Sequence, residues 1–410
     1  MAGHGPVRIL ALPLFRARLT EQPQEGLVYR TADRAPARRV FGPFWLRRPF
    51  LILRDLITSR DRPNLERLAA IDDPETFIWA ILPHAARTFS ACIALLPARS
   101  ALPAAVAYLY CRMLDTYEDL VPDRRAREDS LRAFAARFAG THTPGTPMAS
   151  APTIDVSEDR DERDRAHLLL VRRAHLVDQV FLSLGPATRA AVRDLVRDMA
   201  EGMRWSSATF AENGGVLTGE PQLAQYCRHV LGNPVVFSVR LLRLHYGLDP
   251  TLEPSEVEDA MLVGEMVQLA NITRDVEKDL RRGIAYDDAL KGDLGRDARA
   301  ERDPALAERC RVVRERLWRM ALERAPAYGR VVESIHLPPM SVARASAVLM
   351  LLFTERYFRG TARRVGRPAW EGPEAVMMLM WRAFAATFSK RTAVREFARV
   401  ERAFLTASTA

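Results

Sequence analysis

The sequence predicts an all-α protein, a single-domain helical bundle around a central cavity. Apolar residues recur at helical spacing in one stretch after another from Pro74 onward. Strand and helix patterns do not alternate, and no glycine-rich dinucleotide fingerprint occurs, so an α/β domain is not expected. Polar stripes inside two of the apolar stretches indicate helices that face a polar cavity.

The N-terminal part of the chain differs from the rest. Residues 1–70 are predicted to form a partly irregular, basic extension, and residues 71–405 the helical domain. Residues 40–57 mix aromatic side chains with arginines, a combination typical of segments that lie on anionic lipid. Pro43 and Pro49 interrupt any continuous amphipathic helix there. Packing of these aromatics on the bundle is therefore the favoured interpretation, and contact with a membrane surface is the alternative.

The helices of the main domain can be placed in order. Residues 72–75 read as a helix cap and first turn, and a loop insert is expected at about 140–165, where Gly, Pro, Ser and Thr are frequent. Pro234 is expected to break or kink the central helix. The predicted helical stretches are residues 77–96, 108–119, 128–138, 168–205, 222–244, 264–280, 305–325, 341–360 and 376–388.

The first polar stripe lies in residues 108–119, which read YLYCRMLDTYED. At about 100° per residue, one helix face carries Tyr108, Arg112, Asp115, Glu118 and Asp119. Crowded carboxylates repel one another unless cations lie between them. The stripe is therefore either a solvated outer face or a metal site, and its apolar neighbours favour the metal site.

A second stripe follows far downstream, in residues 264–280. Gln268, Asn271, Asp275 and Asp279 fall at i, i+3, i+7 and i+11, again on one face of a mainly apolar helix. Oxygen ligands from two helices suit a hard cation, Mg²⁺ by preference. Since Mg²⁺ held by carboxylates commonly binds phosphate oxygens as well, we expect a diphosphate between the two helices.

Four sequence motifs together resemble one protein family. The matching residues are Arg87, Thr88 and Phe89; Tyr108, Arg112, Asp115, Thr116, Glu118 and Asp119; Tyr226, Cys227, Val230 and Gly232; and Asn271, Ile272, Arg274, Asp275 and Asp279. In order and spacing they resemble the squalene/phytoene synthase family, whose members join two allylic prenyl diphosphates head to head. The first motif is closer to the squalene synthase form. The resemblance implies a bundle of the class I isoprenoid synthase type.

The resemblance and the stripes together assign roles to these residues. Tyr108, Tyr226 and Arg112 are the catalytic candidates, and the two tyrosines are expected to flank the carbocation pocket. The candidates for binding substrate are Arg87, Arg112, Gln268, Asn271 and Arg274. The candidates for binding metal are Asp115, Glu118, Asp119, Asp275 and Asp279.

One position departs from the family pattern. Lys278 stands where family members usually carry a glutamate before the last aspartate of the second motif. Glu277 is not expected to replace it, because two residues past Asp275 it points to about the opposite face of the helix. A cation at this position either lowers the number of bound metal ions or itself contacts a phosphate oxygen.

The expected function is Mg²⁺-dependent condensation of two farnesyl diphosphates to presqualene diphosphate, and the sequence leaves open whether the reaction continues to squalene with NADPH. One alternative is a related prenyltransferase that uses a non-isoprenoid acceptor. Another is a phytoene synthase that uses the longer geranylgeranyl diphosphate. A non-catalytic helical scaffold is a third, which the retained acidic residues disfavour.

Composition restricts the partners. The 60 lysines and arginines exceed the 51 acidic residues, giving a net charge of +9, which suits anionic partners. No nucleic-acid-binding signature accompanies this charge, so nucleic acid is not expected. The four cysteines form no CxxC pair, which predicts buried thiols in a reducing cytoplasm. No apolar run approaches the roughly 20 residues that cross a bilayer. We expect a cytoplasmic protein, with peripheral attachment to the inner membrane face left open, and the sequence does not indicate an oligomeric state.

Overall fold

In the computed structural model, sixteen α-helices are found in the described part of the chain. The structure describes residues 51–52, 54, 62–86, 88–140, 146–155, 160–298 and 302–410. All of them belong to one compact unit, Phe41–Ala410. The helices are α1 (Leu65–Ala69), α2 (Pro74–Ala86), α3 (Thr88–Leu95), α4 (Ala98–Leu120), α5 (Arg124–Ala136), α6 (Glu162–Arg172), α7 (Ala174–Ser183), α8 (Pro186–Glu212), α9 (Gly219–Cys227), α10 (Asn233–His245), α11 (Pro254–Arg281), α12 (Pro304–Leu322), α13 (Pro326–Ser334), α14 (Val342–Arg364), α15 (Val376–Phe388) and α16 (Lys390–Thr409).

The all-α prediction is confirmed, and several boundaries agree closely. Asp73 caps α2 by accepting a hydrogen bond of 2.8 Å from the backbone N–H of Thr76. The first acidic stripe lies in α4 and the second in α11, and α15 has the predicted bounds. Residues 146–155, in the predicted insert, form neither helix nor strand. The domain boundary at residue 70 stays a prediction.

Other boundaries differ from the prediction. Helices α13 and α16 were missed, and residues 168–205 form parts of three helices rather than one or two. In α16 the buried residues Ala393, Phe397, Val400 and Phe404 fall on one helical stripe, but many arginines surround them. The expected burial of the four thiols is confirmed, since all four cysteines are free and buried.

The predicted break near Pro234 is a turn of π-helix. Residues Arg228–Gly232 form this turn between α9 and α10. Gly232 lies against Gly264 of α11, because a Cβ on Gly264 would come within 2.3 Å of the Gly232 backbone nitrogen. Two glycines therefore allow α11, the second acidic helix, to approach the π turn at backbone distance.

Two apolar clusters make up the interior. The apolar side of α4 belongs to one cluster, with α2, α7 and α8, and that of α11 belongs to the other, with α12, α14 and α16. The two acidic helices thus lie on opposite sides of the bundle interior. None of the helices that the structure describes is both long and apolar enough to cross a bilayer.

One short backbone pairing connects two loops beside the interior. Val216, after α8, and Ala285, after α11, form an isolated parallel bridge, and the described residues contain no longer strand. The backbone N–H of Leu217 donates to the carbonyl of Ala285 at 3.0 Å, and that of Ala285 donates to the carbonyl of Gly215 at 2.9 Å. The bridge fixes the position of Tyr286, which follows it directly.

Candidate active site

A cavity of about 1110 Å³ lies between the two acidic helices. Residues of both apolar clusters line it, together with most of the polar residues singled out in the sequence. Its polar lining includes Tyr108, Arg112, Asp115, Glu118, Asp119, Arg163, Tyr226, Gln268, Asn271, Arg274, Asp275, Lys278, Asp279, Arg282, Tyr286, Arg356, Tyr357 and Arg364.

The cavity changes from apolar to polar along its walls. On α11 the lining begins with Val263 and Val267 and ends with Asp275 and Asp279. Sixteen residues of helix between Val263 and Asp279 rise about 24 Å. Helices α4 and α14 show the same order, with small or apolar lining residues first and charged ones near their C-terminal ends. The site therefore combines a charged end with a long apolar channel.

On α4, Arg112 connects a tyrosine and a carboxylate. Its guanidinium donates to the Tyr108 hydroxyl at 3.1 Å and lies 3.1 Å from an oxygen of Asp115. The Tyr108 ring stacks on Phe89, with ring centroids 6.1 Å apart. This arrangement orients Tyr108 along the cavity wall and leaves Asp115 beside a cation.

The carboxyl groups of α4 are held in a partly desolvated environment. Burial raises the pKa of Asp115 to about 6, although the charge of Arg112 opposes the change. Burial and the neighbouring charges of Asp119 and Asp115 raise the pKa of Glu118 to about 8. Ser206 of α8 donates a hydrogen bond of 3.0 Å to Glu118. Positively charged side chains neutralise the α4 carboxyl groups only in part, so these groups are suited to bind an added cation.

The carboxylates of α11 are unequal. Although burial acts in the other direction, two hydrogen bonds and the charge of Arg274 lower the pKa of Asp275 below its usual value. Burial and the charge of Asp275 raise the pKa of Asp279 to about 7, while Arg282 and Lys278 oppose that change. One turn of helix thus holds one paired and one largely uncompensated carboxyl group.

The remaining α11 residues also lie as the stripe predicted. Asn271 donates a hydrogen bond of 3.2 Å to the side-chain oxygen of Gln268, and both line the cavity. Glu277 points away from it and pairs with Arg314 of α12. The prediction that Glu277 does not replace the missing glutamate is therefore confirmed. Lys278 lines the cavity instead.

Aromatic side chains form the wall beside Glu118 and Asp279. The ring centroids of Tyr226 and Tyr286 are 5.4 Å apart, and Phe210 contacts both rings edge to face. Burial raises the pKa values of both tyrosines well above the ordinary value, with the charge of Glu118 adding to the effect on Tyr226. Both hydroxyls therefore keep their protons at neutral pH.

The structure brings nearly all of the predicted site residues to one cavity. Arg87 lies outside the described residues, so its assignment stays a prediction. Sequence reasoning missed Arg163, Arg282, Tyr286 and Tyr357, which also line the cavity. Arg282 lies 3.3 Å from Asp119 and could have been suspected from its place three residues past Asp279, the last residue of the second stripe.

The residues fit a magnesium ion in chemistry, although not as a complete set of ligands. Among the described residues, no group of three or more His, Cys, Asp or Glu side chains could hold a metal ion alone. The cavity offers carboxylate and amide oxygens, the ligands that Mg²⁺ prefers, and it leaves room for phosphate oxygens and water to supply the rest. The metal ligands named from the sequence stay predictions.

The fold defines the class of protein, because solved structures share it. The structure of TcSQS with the ligand BPH1237 superposes with a TM-score of 0.57, covering 82% of this chain and 99% of that chain at 19% identity. A second TcSQS structure, with the ligand E5700, superposes with a TM-score of 0.58, covering 83% and 99% at 17% identity. The architecture is therefore that of the all-helical squalene synthases.

Sequence comparison identifies the family. The profile of the family described as squalene/phytoene synthase matches residues 82–367. The chain belongs to the squalene/phytoene synthase family, as the four motifs predicted.

Two curated relatives come from Botryococcus braunii. "Lycopaoctaene synthase" is 27% identical over 212 residues, 51% of this chain and 43% of that protein. "Botryococcus squalene synthase" is 28% identical over 205 residues, 50% of this chain and 40% of that protein. The matched stretch thus spans less than half the length of these relatives.

Proposed function

We propose that the protein is a prenyltransferase that joins two farnesyl diphosphates head to head to form presqualene diphosphate. The observation that carries the proposal is the single cavity in which α4 and α11 place their carboxyl groups at one end of an apolar channel. Such a cavity suits an amphiphile with a charged head and a long apolar tail. Family membership supports the reaction class.

The charged end would bind the diphosphate groups. Arg112, Arg274 and Lys278 line it, together with Arg163 and Arg282, and can donate charge-assisted hydrogen bonds to phosphate oxygens. Asp115, Glu118, Asp119, Asp275 and Asp279 would hold Mg²⁺. When bound there, Mg²⁺ would supply positive charge that stabilises the departing diphosphate.

The channel would protect the carbocation that remains when the first diphosphate leaves with the electron pair of its carbon–oxygen bond. Apolar walls exclude water, which would otherwise add to the cation. The rings of Tyr226 and Tyr286 offer π faces that stabilise positive charge. The double bond of the second substrate then attacks the cation, and one proton must leave as the cyclopropane closes.

That proton needs an acceptor near the tyrosines. The buried Tyr226 and Tyr286 hydroxyls remain protonated, so neither acts alone as the base. The departing diphosphate is the stronger acceptor, and a tyrosine can relay the proton by accepting one and donating its own. Tyr108, held by Arg112, also lines the cavity.

The finer features of the activity are part of the proposal. Reduction of presqualene diphosphate to squalene would require NADPH. Lys278 lines the cavity at the charged end, where family members usually carry a glutamate. This difference is the reason to test a longer donor, geranylgeranyl diphosphate, and a non-isoprenoid acceptor as alternatives.

The test is incubation of the purified protein with farnesyl diphosphate and Mg²⁺, with and without NADPH, followed by mass spectrometry of the extracted lipids. Presqualene diphosphate in both samples supports condensation, and squalene only with NADPH adds the second step. A parallel incubation with geranylgeranyl diphosphate tests the longer donor. Intact farnesyl diphosphate with no coupled product would contradict the proposal.

A further inference from the structure

Helix α15 (Val376–Phe388) has two apolar faces, and only one of them is packed against the bundle. Leu379, Ala383 and Ala386 are fully buried. The opposite face carries large apolar side chains at spacings of four, three and four residues, which form one stripe. These are Met377, Trp381, Phe384 and Phe388, with exposed fractions of 72%, 66%, 54% and 54%.

The exposed stripe is part of a continuous apolar surface. Trp381 contacts Phe384, and Phe384 contacts Phe388, with ring centroids 6.3 and 5.1 Å apart. Met340 joins this surface, because the backbone N–H of Ser341 next to it donates to the carbonyl of Thr387 at 3.1 Å. We call this surface the aromatic patch; its residues are Met340, Met377, Met378, Trp381, Phe384 and Phe388.

The aromatic patch is unusual within the described part of the chain. It contains six of the eight large apolar side chains that are exposed there. Soluble proteins rarely expose contiguous apolar surface of this kind unless it binds something. The concentration of these side chains on one helix therefore indicates an interaction surface.

A basic border adjoins the patch. Lys390, Arg391 and Arg395 follow Phe388 within two turns, are exposed, and form no ion pair within the described residues. No acidic residue occurs between Glu374 and Glu396. The border therefore presents positive charge beside the apolar surface.

The acidic residues at the two ends of this stretch are already paired. Glu374 accepts hydrogen bonds from Arg359 at 2.8 Å and Arg363 at 2.9 Å. Glu396 pairs with Arg382 at 3.2 Å. Neither carboxylate therefore neutralises the positive charge of the border.

The patch is also continuous with the cavity. Val376 and Met377, the first residues of α15, line it. Met377 is at the same time the most exposed member of the patch. One end of the patch therefore lies at the cavity wall.

We propose that the aromatic patch and its basic border bind the surface of a bilayer that contains anionic lipid. Aromatic side chains insert at the boundary of headgroups and acyl chains, while lysine and arginine attract anionic headgroups. A second copy of the chain fits less well, because it would bring the same positive charge to the interface and its matching stretch has no acidic residue between Glu374 and Glu396 to pair with it. The proposal does not depend on the prenyl chemistry.

The first test is sedimentation of the full-length protein with sucrose-loaded vesicles of phosphatidylcholine, with or without phosphatidylglycerol. We expect binding to the anionic vesicles. Trp381→Gln combined with Phe384→Gln should lower the partition coefficient about tenfold or more, because two large rings no longer insert. Val312→Gln, which changes an exposed apolar residue of α12, is the control and should bind as the unchanged protein does.

A second pair of variants tests the border. Lys390→Glu with Arg391→Glu should lower the partition coefficient by more than about 25-fold, since each basic residue near an anionic surface contributes about a factor of five and the new carboxylates are repelled as well. Arg125→Glu with Arg172→Glu changes the net charge equally on exposed helices elsewhere and should have a much smaller effect. Equal decreases in the partition coefficient of the two double variants would show that net charge alone explains the attraction, and would overturn the assignment of this border.

A third measurement places the contact. Brominated lipid should quench tryptophan fluorescence in the unchanged protein and less in Trp381→Phe. Undiminished quenching in Trp381→Phe would overturn the proposal and assign the contact to another tryptophan. Concentration-dependent dimerisation that Trp381→Gln abolishes, without vesicle binding, would overturn it in favour of a second copy.

Discussion

Arg274 binds both carboxylate oxygens of its neighbour Asp275, at 2.9 Å through Nε and at 2.7 Å through Nη2. The predicted metal ligand of α11 with the lowest pKa is therefore matched by a cation on its own helix. Arg274 also lines the cavity, where its guanidinium can reach a phosphate oxygen. The pair thus joins the carboxylate side and the phosphate side of the proposed site.

Removing this arginine should weaken diphosphate binding. Because hydrogen bonds to charged groups contribute about 1.5–3 kcal/mol, we expect Arg274→Gln to weaken binding of Mg²⁺ with inorganic pyrophosphate about tenfold or more. Isothermal titration calorimetry measures this directly. Arg132→Gln, at an exposed pair on α5, is the control. Unchanged affinity would leave Arg274 as only a partner of Asp275.

Neutralising the half-buried carboxyl groups should abolish most of the diphosphate release. Asp115→Asn and Asp279→Asn remove charge from the two facing helices, and each is expected to lower the rate at least about 100-fold. Release of pyrophosphate from farnesyl diphosphate is the readout. Asp129→Asn, whose carboxylate is exposed on α5, should retain the rate. Near-normal rates in both site variants would contradict the assignment.

Replacing Lys278 should strengthen Mg²⁺ binding, whereas the changes above weaken binding or activity. Its charge adds to the lowering of the pKa of Asp275 and opposes the rise in the pKa of Asp279, so it competes with an added cation for the same carboxylates. Lys278→Glu should lower the Mg²⁺ concentration for half-maximal pyrophosphate binding about tenfold, a modest effect for neighbouring unit charges. In Lys278→Met this Mg²⁺ concentration should lie between those of the unchanged protein and Lys278→Glu. If Lys278→Glu instead weakened binding, the lysine would be a phosphate contact.

The close approach of α11 to the π turn predicts a loss of stability. In Gly264→Ala the new methyl group would meet the backbone of Gly232, which cannot move aside as a side chain could. We expect a loss of about 1–3 kcal/mol in the free energy of unfolding, measured by urea denaturation. Gly329→Ala, in α13, meets nothing within 4 Å and should be neutral or slightly stabilising.

Stability should also depend on pH through His167. Burial and the charges of Arg112 and Arg163 lower the pKa of this side chain to about 2. In the unfolded chain it would titrate near 6.5, so the unfolded state binds the extra proton between these values. The free energy of unfolding should therefore fall below pH 6.5, by up to about 1.4 kcal/mol per pH unit from this group.

The variant His167→Gln isolates that contribution. Its unfolding free energy should depend less steeply on pH between 6.5 and 5 than that of the unchanged protein, although His229 and His245, whose pKa values are also lowered, remain. Equal slopes for the two proteins would show that His167 is protonated in the folded state.

The sequence predicts the charged end of the cavity well, because helical periodicity decides which side chains share a face. That rule places Asp275 and Asp279 in the cavity and turns Glu277 toward Arg314. It does not place Tyr286, whose position depends on a bridge between loops about 70 residues apart in the chain. It also misses the Gly232 and Gly264 contact, which only helix packing creates.

The same limit applies to the outer surface. In residues 40–57 membrane contact was the alternative to packing on the bundle, and of these residues the structure describes only Leu51, Ile52 and Arg54. The sequence predicts α15 as an apolar helical run, but such a run alone does not reveal that one of its faces lacks a neighbour. Exposure is a property of the packed molecule and has no local signal.

The bridge between Val216 and Ala285 has a consequence for how this part of the molecule can vary. Because backbone pairing, rather than any one side chain, sets where Tyr286 lies, most substitutions between Gly283 and Tyr286 would leave the Tyr286 ring opposite Tyr226. A single inserted residue would shift the pairing by one place and turn the ring to the other side. Related chains should therefore differ in composition here more readily than in length.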